Sequence, residues 1–296
     1  MANLKEVRNR ITSVSSTQQI TSAMKMVSAA KLRRAQDAII SLRPYANKLN
    51  EMLQHLVQVA DTSNTSFSGD RDVQTVLLVA ITSNRGLCGA FNSNVIKRTK
   101  ALAAGKYKDR KVSVLTIGKK ADDAFKGTEL RVIGTDLPKG LYKLYEDLTY
   151  EKVAPVAESI MENYINGQFD RVELIYNEFK NAAVQHLIAE QYLPVLPPKV
   201  EEDKAGNGFV HDYVFEPNKD EIVEELIPRS LKIQLFRAIL ESHAAEHGAR
   251  MTAMHKATEN ATDMIKELRI SYNKARQAAI TNELIEIVSG ADALSN

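Results

Sequence analysis

Ala244-Ala-Glu-His-Gly-Ala-Arg-Met-Thr-Ala-Met-His-Lys-Ala-Thr-Glu-Asn-Ala-Thr-Asp-Met-Ile-Lys-Glu-Leu-Arg-Ile-Ser-Tyr-Asn-Lys-Ala-Arg-Gln-Ala-Ala279 carries one pattern from end to end. Ala244, His247, Met251, Met254, Thr258, Ala261, Ile265, Leu268, Tyr272, Ala275 and Ala279 follow one another in alternating steps of three and four. That is a heptad seam, small or apolar at most positions. The chain's other end answers with Ala35, Ala38, Leu42, Tyr45, Leu49, Met52, Leu56 and Val59. A narrow seam cannot be buried by one helix alone. Each end therefore needs a partner helix, and an antiparallel pair follows if the middle of the chain returns it. At about 1.5 Å per residue such helices reach roughly 90–105 Å. The expected division is a helix over 1–60, a globular domain over 61–217 and a second helix over 218–296.

Bulk composition narrows the function classes. The 296 residues carry a net charge of only +2, which argues against a general nucleic-acid binder. Charge is uneven, however. Lys5, Arg8, Arg10, Lys25, Lys31, Arg33 and Arg34 face Glu6 alone in the first 34 residues. Cys88 is the single cysteine, so no intrachain disulfide is expected and a reducing compartment fits. No apolar run approaches the roughly 18–20 residues of a membrane span. The Arg- and Ser-rich start has a transit-peptide composition, but the helical pattern runs through it to Ala60.

In chain order, Asn3 and Glu6 read as a capping box. Leu4, Val7, Ile11 and Val14 follow at helical spacing. Thr12–Ala30 then holds eight Ser or Thr residues and Lys25 as its only charge. Such a smooth surface of small side chains suits close approach to another protein. Pro44 should kink the first helix near Ile40–Leu42, and Pro228 the second, leaving a straight run from Arg229. Between them, strands are expected at Val73–Thr82, Lys111–Ile117, Leu130–Gly134, Arg171–Phe179, Val184–Val195 and Phe209–Phe215. Helices are expected at about Asn92–Ala104, Lys119–Lys126 and Asp147–Asn166, the last closed by Gly167. Strand–helix alternation implies an α/β, Rossmann-like domain with a largely parallel sheet, antiparallel in its later part. Asn218 and Glu221 should cap the last helix, and Gly290 should end it.

Three patterns invite a chemical reading. Gly86-Leu-Cys-Gly89, between a strand and a helix, looks like a dinucleotide turn, but the fingerprint needs three glycines. His243-Ala-Ala-Glu-His247 matches a short zinc-peptidase pattern, yet His247 lies in the seam and no third ligand is evident. Cys88 has no base beside it. No catalytic residue, cofactor site or metal site is therefore assigned.

Four runs carry a resemblance. Ile20-Thr-Ser-Ala-Met-Lys-Met-Val-Ser-Ala-Ala-Lys-Leu-Arg33, Ser83-Asn-Arg-Gly-Leu-Cys-Gly-Ala-Phe-Asn92, Glu246-His-Gly-Ala-Arg-Met-Thr-Ala-Met254 and Tyr272–Leu294 closely resemble the gamma subunits of F-type ATP synthases. The resemblance implies a central rotor shaft without a catalytic site of its own. It couples proton flow through a membrane rotor ring to ATP synthesis or hydrolysis in a hexamer of alpha and beta subunits. Epsilon and the ring would sit at the α/β foot. It implies hexamer contacts at Met24, Lys25, Lys31, Arg33, Arg34, Arg250, Gln277, Thr281 and Glu283, and ring contacts at Leu42, Arg43, Pro44 and Tyr45. The tip adds Leu284, Ile287 and Val288, too bunched with Ile285 to face one partner helix. Nucleic acid is not an implied partner, nor is a second copy of the chain. The implied place is peripheral, on the cytoplasmic face of a bacterial inner membrane, with the mitochondrial matrix face as the alternative.

Departures from the family pattern are Ser16 and Gln19, where Asn and a basic residue are common, and Gly248, where Ala is usual. The paired-cysteine insert of chloroplast members is absent. Two other classes fit the bare pattern: a structural coiled coil with a hinge domain, and a Rossmann-like enzyme with helical oligomerisation arms.

Overall fold

A computed structural model describes residues 4–59, 67, 72–130, 137–195 and 219–295. In order these form α1 (Leu4–Val59), β1 (Thr75–Ile81), α2 (Phe91–Ala104), β2 (Lys111–Ile117), α3 (Lys119–Phe125), a 3-10 turn (Leu141–Glu146), α4 (Tyr150–Ile165), β3 (Arg171–Phe179), β4 (Gln185–Leu193) and α5 (Lys219–Ser295). Two long terminal helices thus bracket an α/β sheet, as the sequence predicts. The capping residues Asn3 and Asn218, the strand at Phe209–Phe215 and most of that at Leu130–Gly134 lie outside the described residues. The chain groups into two compact units, Met1–Ala29 with Arg250–Asn296, and Ala30–Ala249.

The first unit is a helix pair. Gln18 meets Thr262, Thr21 meets Thr258 and Lys25 meets His255. One number rises as the other falls, so the strands of the pair are antiparallel. On α1 the inward positions are Leu4, Val7, Ile11, Val14, Gln18, Thr21, Lys25 and Ser28, all buried or half-buried. They keep strict steps of three and four, the spacing of a coiled-coil seam. On α5 the buried or half-buried positions include Met254, Thr258, Ala261, Ile265, Leu268, Tyr272 and Ala275. The seam then passes to Ala278 rather than the expected Ala279, which is exposed.

The second unit holds the sheet, ordered β2-β1-β3-β4, with β2, β1 and β3 parallel and β4 antiparallel. Central β1 is buried on both faces, which is why Val76–Ile81 is an unbroken apolar run. Leu77, Val79 and Ile81 join a core with α4 and the first part of α5. Val76, Leu78 and Ala80 join the opposite core with Val95, Leu102 and Phe125 of α2 and α3. Glu173 of β3 is buried and accepts a hydrogen bond from the Tyr107 hydroxyl, with Lys106 Nζ at 2.5 Å and Arg171 Nε at 3.4 Å. The carboxylate thereby ties the loop after α2 to the sheet.

Within this unit the seam expected along α1 is corrected. Ala38 and Tyr45 are exposed, while Ile39 and Ala46 are buried beside Leu32, Ala35 and Leu49. Ala35, Leu42 and Leu49 belong to both stripes. After Ala35 and Leu42 the next buried position falls four residues on, not three, which turns the bulky Tyr45 outward. Two helix boundaries are corrected as well. Gly290 does not cap α5, which runs on to Ser295 through the helix-compatible Ala291-Asp-Ala-Leu. A 3-10 turn precedes α4, whose first residue is Tyr150, not Asp147. Both long helices are continuous through Pro44 and Pro228.

Gly248 has a packing reason. A Cβ there would stand 3.2 Å from Ala182 Cα and carbonyl oxygen and 3.4 Å from Phe179 Cε2, where the β3–β4 hairpin crosses the helix. Gly248→Ala gains about 1 kcal/mol of helix propensity. It also crowds a backbone that must give way, which costs about 1–3 kcal/mol. Chemical denaturation should therefore report a net loss of about 1 kcal/mol rather than the gain that propensity alone gives.

Candidate functional site

In the first unit the paired helices meet through polar side chains. Gln18 Nε2 donates to Thr262 Oγ1 at 2.6 Å, and the Thr21 and Thr258 hydroxyls are 2.9 Å apart. Lys25 Nζ lies 3.4 Å from His255 Nδ1, and Arg8 Nη2 donates to the Tyr272 hydroxyl at 2.9 Å. Short polar seam residues let the helices approach closely while directional bonds fix the register. Met24 is half-buried, and Lys25 is turned partly toward α5. Ile20, Met26 and Val27 project outward with more than half their surface exposed. The outer face of the Ser/Thr-rich stretch is thus apolar at intervals.

On α5, Arg250 is buried. Gln277 and Glu283 are exposed, as is Thr281, whose hydroxyl donates to the Gln277 carbonyl at 2.9 Å. Every residue from Thr281 to Gly290 is exposed. Leu284, Ile287 and Val288 stand 57%, 63% and 58% accessible, with Ile280 and Ile285 beside them. The last turns of α5 thus leave five large aliphatic side chains bare.

In the second unit, Lys31, Arg33 and Arg34 are exposed on α1. Of the four residues further along, Leu42 packs against the core, while Arg43, Pro44 and Tyr45 face solvent. Arg43 also lies close enough to the Glu241 carboxylate to favour its charged form.

The glycine-rich turn after β1 is occupied by its own side chains. Ser83 N and Oγ contact Asn92 Oδ1 at 2.9 and 3.1 Å, and Asn92 Nδ2 reaches Cys88 Sγ at 3.2 Å. Cys88 and Phe91 pack on Ala245 of α5. The turn is therefore a fastening between sheet and helix. Leu87 has a positive φ of 64° and is exposed.

His243 and His247 do share a face, with their Nε2 atoms 3.1 Å apart and Tyr145 stacked on His243 at 5.7 Å. Burial pushes the Tyr145 phenol well above its usual range, and Glu246 adds to the effect. Among the described residues no group of three or more His, Cys, Asp or Glu could hold a metal ion. Sequence reasoning missed a charged group in which Glu190 and Glu241 meet Arg237 with Glu178 nearby. Its members are spread over β3, β4 and α5, so no local pattern announces it. Also among the described residues, no helix is long and apolar enough to cross a membrane.

The described residues thus hold a register-locked helix pair, a bare apolar tip and an α/β domain whose glycine turn is filled from within. The family pattern described as ATP synthase matches residues 3–294. The chain is 55% identical over 296 residues to the ATP synthase gamma chain of Flavobacterium johnsoniae, with 100% of each covered. It is 50% identical over 301 residues to that of Cytophaga hutchinsonii, again with 100% of each covered. A solved chain of the Euglena gracilis mitochondrial ATP synthase superposes with a TM-score of 0.64 at 24% identity, covering 98% of this chain and 94% of that one. One from the Tetrahymena thermophila enzyme gives 0.56 at 23% identity, covering 80% and 99%. At such identities the structural likeness concerns the fold. The full-length sequence identity carries the assignment: the chain belongs to the ATP synthase gamma-chain family.

Proposed function

We propose that the chain is the rotating central shaft of a proton-translocating ATP synthase, transmitting torque between a membrane rotor ring and a catalytic hexamer of alpha and beta subunits. The observation that carries this reading is the 55% identity to a gamma chain over the whole of both sequences. The bare tip supports it, because a helix end apolar on several sides needs enclosing protein. Apolar contact is non-directional, so it persists at every rotation angle, whereas hydrogen bonds would hold one angle only.

In this reading the helices 1–60 and 218–296 form the shaft and 61–217 the foot. Met24, Lys25, Lys31, Arg33, Arg34, Arg250, Gln277, Thr281, Glu283, Leu284, Ile287 and Val288 face the hexamer. Arg250 is reached only through whatever covers it here. Leu42, Arg43, Pro44 and Tyr45 face the ring, with epsilon against the foot. The chain then has no catalytic site, cofactor or metal of its own. It is held at the cytoplasmic face of the inner membrane through its partners.

Reconstitution tests the proposal. Alpha and beta subunits, the ring complex and this chain, combined in vesicles, should give ATP-driven acidification that is lost when the chain is omitted. Vesicles that pump equally without it would overturn the reading, as would a chain that co-purifies with DNA or a bound nucleotide instead of alpha and beta.

A further inference from the structure

Antiparallel β3 and β4 turn Tyr176 and Glu178, and across from them His186, Ile188 and Glu190, onto one face of the sheet. Leu174 and Tyr176 share a core with Leu235, Ala238 and Ile239, so this is the face that α5 covers. The α5 residues that meet the acids are Gln234, Arg237 and Glu241. Arg237 Nε lies 3.2 Å from Glu241 Oε1, and Gln234 Nε2 donates to Glu190 Oε1 at 3.4 Å. The buried Tyr176 phenol lies among these charges, close enough to Glu190, Glu241 and Arg237 to feel them. Arg43 of α1 contributes a second positive charge from the solvent side. Glu241 Oε2 is buried without a hydrogen-bond partner among the described residues.

The charges do not balance. Glu190 and Glu241 share the half-buried Arg237 guanidinium and Glu178 adds a third negative charge, against which stands only the exposed Arg43. His186 stands opposite Glu178 in the ladder but at the exposed edge. A carboxylate oxygen left bare in a low-dielectric interface costs far more ionised than neutral.

We propose that Glu190 and Glu241, gathered around Arg237 and Tyr176 with the Glu178 charge beside them, form a proton-sensitive latch that fastens the β3–β4 hairpin to α5, closing firmly when the pair holds an extra proton and loosening when it gives the proton up.

The direction of titration agrees. Burial pushes the Glu190 carboxyl above its usual value, against the restraint of Arg237, Gln234 and Tyr176. Burial raises Glu241 too, and Glu178 and Glu190 add to it against Arg237 and Arg43. A carboxyl raised in the closed state binds more protons there than in the open state. Closure is therefore fully favoured below the ordinary glutamate value, about 4.3. It weakens as pH rises through the raised native value. Gly248 lies one and a half to two turns beyond Glu241 and lets the same hairpin touch the helix backbone. The latch thus closes a contact already shaped for close approach.

Hydrogen exchange on the full chain tests this. Amides of 185–193 and 234–241 are followed at about pH 6 and about pH 8, each corrected for the intrinsic rate. The local opening constant should rise about fivefold between the two in the unmodified chain. In Glu190→Gln, which keeps an acceptor for Gln234, it should change by less than about twofold, with more protection at the higher pH. Glu241→Gln provides the same comparison should the first variant fold poorly. A pH response absent from the unmodified chain, or retained in full by both variants, would overturn the latch. A merely structural cluster would shift protection equally at both pH values, which also counts against it.

Discussion

Gly118→Ala is expected to destabilise the second unit by about 4 kcal/mol or more, enough to leave much of the chain without a cooperative unfolding transition. Gly118 follows β2 with φ at +105°, a conformation that L side chains rarely adopt. That strain alone costs about 1–3 kcal/mol. A Cβ would also fall 2.0 Å from the Thr82 carbonyl oxygen and 2.9 Å from its Oγ1. Neither neighbour is free to yield. Thr82 N donates to the Ile117 carbonyl at 2.8 Å, and Thr82 Oγ1 accepts Ala121 N at 2.9 Å. Lys120 N is bound to the Ser83 carbonyl at 3.1 Å. The crossing of the β1 and β2 ends is therefore pinned from both sides, and the glycine-rich turn that packs on Ala245 is built on it. Thermal unfolding by circular dichroism is the measurement. A Gly118→Ala chain melting within a few degrees of the unmodified one would show that the crossing is far softer than its hydrogen bonds imply.

The sheet was legible in the sequence because its strands obey simple rules. Val76–Ile81 reads as a strand of buried type, and Lys111–Ile117 and Arg171–Phe179 appear with the expected bounds. The helix pair was legible too, since Met254, Ala261 and Ile265 are buried as the heptads require. What escaped was the α1 side of the seam. Followed from Leu4 it passes through Gln18, Thr21, Lys25 and Ser28 before reaching Leu32. A search for apolar residues loses the trail in that polar stretch and picks it up three residues after Ala35 instead of four. The polarity has a physical reason that no pattern displays: Gln18 donates to Thr262, and the Thr21 and Thr258 hydroxyls meet across the pair. The Glu190–Arg237 group was hidden for a similar reason. Its members are 47 positions apart and meet only because β4 and α5 share a sheet face. Gly248 looked like a weak point in a helix, and becomes a contact point once the hairpin is in place.

Ile287→Asp should leave folding of the isolated chain nearly unchanged and yet prevent its working assembly. Ile287 is 63% exposed, with Leu284, Ile285 and Val288 equally bare. A surface substitution of that kind changes stability by about 0.5 kcal/mol or less. The negative charge sits in the last three turns of α5, where the helix dipole mildly disfavours it, by a further few tenths at most. In the assembly of the proposed function the same position is enclosed by alpha and beta subunits. There an unpaired carboxylate loses its water without gaining a partner. The penalty should be about 3 kcal/mol, roughly a hundredfold in assembly affinity. Leu284→Ala and Ile287→Ala are the controls. Each removes at most about 1–3 kcal/mol of non-directional burial, so assembly should weaken while rotation continues. Two readouts separate the cases. Thermal unfolding of the free chain should be the same for all three variants. ATP-driven acidification in reconstituted vesicles should persist with the alanine variants and fall close to background with Ile287→Asp. An aspartate variant that assembled and pumped like the unmodified chain would mean that the tip is not enclosed, and that its aliphatic cluster serves some other contact.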